Sequence, residues 1–225
     1  MFKRIISAAA FAGVFAGLLL TAIQQIEITP LIHKAEVQEE VAIAASQSAN
    51  EHASTGREQE AWAPRHGWER LLASAASNTV LAIGFALLLV SAISQQGKTG
   101  WRAGLLWGTA GYAVFFVAPS LGLPPELPGT ESAPLRDRTL WWIGTVIFSA
   151  AGLWLVAFST KSTIRVLGLV LLAAPHAIGA PQPAAHGGTN SVELANDFLR
   201  ATYFANAAFW LALGGLVGLF YKARE

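Results

Sequence analysis

Six apolar runs divide this chain, at about 5–25, 71–94, 101–121, 139–158, 164–180 and 198–221. A helix needs roughly 20 mostly apolar residues to cross the ~30 Å hydrocarbon core of a bilayer. Five of the runs meet that length, and the run at 164–180 falls a little short. None alternates with the period of two that a membrane β-strand requires, and open sheet edges have no place in lipid. The predicted fold class is therefore all-α: a polytopic integral membrane helix bundle of six spans. It becomes five if the short run dips in and returns. A single membrane domain covers 1–225, with one long outer loop at 27–68. Composition agrees, since only 13% of residues are charged, about half the ~25% of an ordinary soluble domain.

Basic residues set the orientation of such a bundle. With the N-terminus cytoplasmic, Lys3, Arg4, Lys98, Arg102, Lys161, Arg165, Lys222 and Arg224 fall on the inner side, all beside span ends. The short inner loops carry no acid. Lys3 and Arg4 also give the start of the chain the look of a secretion signal. The run continues to Ile28 without a clear cleavage pair, however, and carries Gly13 and Gly17 at a spacing that favours close helix contact. A retained first span is expected, in a multi-pass protein of the bacterial inner membrane.

Between the spans, the segment PLIHKAEVQEEVAIAA has helical spacing and predicts a short helix at the membrane surface, followed by a polar, mobile stretch at 46–60. Pro124, Pro125 and Pro128 predict a stiff, extended loop that holds Glu126 at the surface. The loop at 182–197 reads as flexible. Gly104 and Gly108 in the third run, and Gly214 and Gly218 in the last, mark tight helix packing within the chain or, in a homo-oligomer, between copies.

The chemistry-bearing residues are few. No cysteine is present and the only methionine is Met1, so a bound metal would rest on histidine nitrogen and on oxygen. The net charge of +1 gives no field for nucleic acid. No Gly-x-Ser-x-Gly elbow, phosphate-cradling glycine loop or His-Glu-x-x-His helix occurs, so no enzyme and no resident cofactor are expected. His33 stands three residues before Glu36, and His66 three before Glu69; on a helix each pair shares a face and could ligate a cation. Each pair could equally be an ordinary charged surface. Gln25, beside Gln24, sits at the outer end of the first span. His176 follows Pro175 near the end of the short run, where an ionisable group at membrane depth usually has a partner. Spacing alone leaves it open whether that pair is a helix stop or a ligand site.

Several stretches together resemble the CbtA family of predicted cobalt transporter subunits. They are MFKRIISAAAFAGVFAGLLLTAIQQIEITPLIHKAE, ERLLASAASNTVLAIGFALLL, GLLWGTAGYAVFFVAPSLGLPPELPG and APHAIGAPQP. The positions that match are Gln24, Gln25, Glu36, Glu69, Arg70, Glu126 and His176. The resemblance implies cobalt as substrate, a link to cobalamin synthesis, and a small single-span partner with a histidine-rich tail. It also implies a bundle commonly drawn with five spans. It leads to an expectation for function: a membrane subunit that binds cobalt at its outer face through His176, Glu126, Glu36 and Gln25 and passes it inward. His176 should then face other helices within reach of Glu126 or of Gln24 and Gln25. The alternative is a non-transporting scaffold or metal-sensing subunit. Polar residues lining a path through the bundle would favour transport, and polar residues confined to the outer rim would favour the scaffold.

Overall fold

The computed structural model describes residues 2–49, 64, 67–96, 100–183 and 187–221, and its named elements are all helical. The first rod comprises α1 (Phe2–Ile23), a π turn (Gln24–Ile28) and α2 (Thr29–Ala49). The second is α3 (Trp68–Gln96). The third comprises α4 (Trp101–Tyr112), a π turn (Ala113–Val117) and α5 (Ala118–Ser120). Then follow α6 (Leu135–Phe158), α7 (Ser162–Ile178) and α8 (Val192–Phe220). Five of these six rods are long and apolar enough to cross a membrane; α7, with 17 residues, is the shorter one. The bundle is thus a multi-pass membrane architecture.

The first rod differs from its sequence expectation. The predicted surface helix exists, but it is the unbroken continuation of the first span rather than a separate piece. At ~1.5 Å per residue the rod extends far beyond a ~30 Å core. Most of the polar stretch at 46–60, and His66, lie outside the described residues.

Both π turns have a local cause. Each ends two residues before a proline, Pro30 in one rod and Pro119 in the other. A proline inside a helix removes one amide donor and drives its ring toward the carbonyl four residues back. Widening the preceding turn accommodates that ring. Thr29 N–H reaches Gln24 O and Ala118 N–H reaches Ala113 O, five residues back in each case. The wide turn also shifts the facing of later side chains by one position. In the third rod this turns Phe115 flat against Trp210 of α8, with ring centroids 5.5 Å apart and planes 11° apart.

Small residues bring the rods together, because lipid supplies no hydrophobic drive between helices and close packing must do so. α1 buries Ala9, Ala12, Gly13, Ala16 and Gly17. A Cβ on Gly13 would lie 2.6 Å from Ile83 Cα, and one on Gly17 2.6 Å from Thr79 Cα, so α1 rests backbone to backbone on α3. α4 and α8 meet in the same way: a Cβ on Gly104 or Gly214 would strike the other's carbonyl oxygen. Phe220 at the end of α8 lies against Phe11 and Phe15 of α1, while Leu194 and Asp197 near its start border a depression with His33 and Val37 of α2, so α8 runs antiparallel to the first rod.

α6 and α7 form a hairpin beside this core. Its seam is Gly152 on Gly168, where a Cβ on either would come within 2.8 Å of the other's carbonyl oxygen. Neither glycine belongs to a repeat in the sequence. The hairpin touches the core through Trp154 and Phe158 on Trp107, with ring centroids 6.5 and 6.2 Å away. α7 continues through Pro175 to Ile178 and stops at Gly179, whose φ of 88° suits glycine alone.

Candidate substrate-binding cleft

The ends of α1, α5 and α7 and the starts of α3, α6 and α8 gather at one end of the bundle. Two loops close over it. The proline-rich loop is extended, and it is stitched to the loop before α8 by Glu131 N–H to Gly187 O (3.2 Å) and Thr189 N–H to Gly129 O (3.3 Å). Asn190 Nδ2 donates to Pro128 O at 2.6 Å. Ser191 accepts from Leu194 N–H and starts α8. Of the loop at 182–197, expected to be flexible, residues 187–197 are therefore largely pinned or helical.

Beneath these loops, between the core and the α6–α7 hairpin, lies a cleft of about 820 Å³. Its floor is aromatic: Phe115 and Phe116 come from the π turn, Trp142 from α6 and Phe198 from α8. Two carboxylate–guanidinium pairs stand on its walls. Arg70 of α3 holds Glu36 of α2 at both oxygens, Nη2 to Oε1 at 3.0 Å and Nη1 to Oε2 at 3.4 Å. His33 Nδ1 meets Glu36 Oε2 at 3.0 Å, the i, i+3 contact its spacing allows. In the same lining, Arg138 Nη2 of α6 lies 3.2 Å from Glu126 Oε2, and Ser132 Oγ donates to the same oxygen at 2.5 Å. Less than a third of each of these four charged side chains is exposed.

Glu36 and Glu126, far apart in sequence, thus share one cavity. The other sequence candidates lie elsewhere. Gln25 is half-buried in the π turn, while its neighbour Gln24 accepts from Asn78 Nδ2 at 2.6 Å; Asn78 also donates to Thr21 Oγ1 at 3.0 Å. Glu69 is half-buried in the first turn of α3, outside the cleft lining. His33 faces a second depression of about 560 Å³ with Lys34, Glu193 and Asp197. His176 departs most from expectation. Its side chain is exposed on α7, its ring contact is the edge of Trp141 at 6.1 Å, and it does not line the cleft. The helix runs through Pro175, so the following residue points outward instead of in. Among the described residues no group of three His, Asp or Glu side chains is placed to hold a metal ion.

Arg138 and Asn78 had no signal of their own as site residues. Arg138 is one of several charges just before the fourth apolar run, and only the fold brings it to Glu126. Asn78 is an amide within an apolar run, the kind of residue that bridges membrane helices.

No curated protein and no solved structure matches the chain. The family model described as "Probable cobalt transporter subunit (CbtA)" matches residues 2–222. With that match over nearly its whole length and a membrane helix bundle for a fold, the chain belongs to the CbtA family of cobalt-transport-related membrane proteins.

Proposed function

We propose that this chain is the substrate-capturing membrane subunit of a cobalt uptake system in the bacterial inner membrane. The cleft faces outward and Glu36 and Glu126 are its acidic contacts. The observation that carries the reading is the convergence of those two carboxylates, from separate blocks of sequence, on one cavity at one end of the bundle. Charge distribution supports the orientation. Lys3, Arg4, Arg102, Lys161 and Arg165 lie at the opposite end, where no acid occurs among the described residues. A small partner subunit with a histidine-rich tail would supply imidazoles, of which the described lining residues include none.

One observation favours the scaffold as a second reading. Buried polar side chains among the described residues are Thr21, Ser120, Thr145 and Ser149, and the middle of the core is alanine, glycine, leucine, valine and tryptophan. So few buried polar groups favour a route for the ion that forms with a partner chain or between copies. Labelled cobalt uptake in cells lacking other importers separates the two. Capture by this chain requires Glu36→Gln and Glu126→Gln to lower uptake at equal membrane levels, by about tenfold for a lost charged contact. Undiminished uptake in both variants would leave only the scaffold.

A further inference from the structure

The contents of the cleft do not suit a bare dication. A hexa-aqua ion occupies about 180 Å³, taking roughly 30 Å³ per water, whereas the cleft holds about 820 Å³. That volume lies in the usual range for organic ligands, ~300–1,000 Å³. Its charges also cancel, since each carboxylate already has a guanidinium against it. A dication entering alone would meet no net negative charge and would find no group of three ligating side chains among the described residues.

The arginines are themselves informative. Arg70 and Arg138 lie within the first four residues of α3 and α6, where the helix dipole disfavours a cation. Helix stability does not account for them there. A guanidinium is a planar fork that matches a carboxylate with two parallel hydrogen bonds. Two such forks in one lining, together with the Ser132 and Thr139 hydroxyls and the rings of Phe115, Phe116, Trp142 and Phe198, suit an organic anion with an apolar or planar skeleton.

We propose that the cleft accepts cobalt as a carboxylate-bearing organic chelate, with Arg70 and Arg138 binding the carboxylate oxygens that the chelator leaves turned away from the metal, and not as the hydrated ion. This rests on the cobalt uptake reading and names the substrate form for the same site. On arrival of the ligand each arginine shares its donors between its glutamate and the incoming carboxylate. No bond of the chelate is broken.

The test is equilibrium dialysis of the full-length protein in lipid nanodiscs against radiolabelled cobalt. The metal is supplied as chloride, or fully complexed with citrate, histidine or nitrilotriacetate. The expected result is retention of at least one chelate, little retention from chloride, and a drop of about tenfold for Arg138→Gln, with partial rescue by Arg138→Lys. Matched size-exclusion profiles establish that the variants are folded. Preferential retention of the chloride form, strengthened in Arg138→Gln by loss of a repelling charge, would overturn the chelate proposal and leave uptake of the ion standing. Retention of none of the four forms would overturn it as well. Whole-cell cobalt uptake, measured in parallel, then shows whether the uptake reading fails with it.

Discussion

Glu36 is held by His33 from its own helix and by Arg70 from α3, 34 residues along the chain. Both members of the Glu36–Arg70 pair are half-buried, so solvent screens the interaction somewhat less than at an open surface. A double-mutant cycle with Glu36→Gln and Arg70→Gln should give a coupling of about 1 kcal/mol, read from thermal unfolding in detergent. A coupling near zero would make the pair incidental. His176 calls for the opposite expectation. It is exposed on α7 and its ring contact is with Trp141. His176→Ala should change stability by less than about 0.5 kcal/mol and leave cobalt uptake at the wild-type level, where Glu36→Gln lowers it. The two residues show what local spacing can and cannot convey. The His33–Glu36 contact follows from one turn of helix and is legible. Whether His176 faces in or out depends on how a proline-containing helix ends, and Arg70 reaches Glu36 only through tertiary packing.

At the scale of elements, the glycines divide by surroundings rather than by spacing. Gly104 of α4 and Gly214 of α8 leave no room for a side chain, because each faces the other's carbonyl oxygen. A substituent there must push two backbones apart. Gly104→Leu should destabilise the bundle by about 2 kcal/mol or more, seen as a lower unfolding temperature and aggregation on size exclusion. Gly84 and Gly144, also within helices, face open space. Alanine there should be neutral or stabilising by up to roughly 1 kcal/mol, since only helix propensity changes. Equal losses at all four positions would remove the close-packing account. The small-residue patterns of α1, α4 and α8 are readable in the sequence, but their partners are not. Gly13 and Gly17 oppose Ile83 and Thr79 instead of another glycine stripe, and the Gly152–Gly168 seam joins two isolated glycines. The π turns were hidden for a related reason. Pro30 and Pro119 announce a disturbance in each helix, yet a kink, a stop and a widened turn all satisfy the missing amide.

For the whole molecule, the open question of five or six crossings becomes a question about α7. Seventeen residues make a helix of about 25 Å, a little short of a ~30 Å core, which is why the sequence left the crossing ambiguous. Packing supplies what length does not. The Gly152–Gly168 seam and the Trp141–His176 contact make α7 antiparallel to α6, and Ala180 just beyond its end reaches Gly122 after α5. The chain therefore returns to the cleft end before α8 begins, and both ends of the described bundle lie at the opposite end. Local thinning of the bilayer around the hairpin would absorb a mismatch of this size at modest cost. Because the chain has no cysteine, single introduced thiols can report the crossing without background. Gln182 follows α7, Thr160 precedes it, and both are exposed. In intact cells, a membrane-impermeant maleimide should label Gln182→Cys, and should label Thr160→Cys only after the inner membrane is permeabilised. Labelling of both from outside would mean that α7 dips in and returns. Reversed accessibility of the two sites would turn the cleft toward the cytoplasm and overturn capture of substrate from outside the cell.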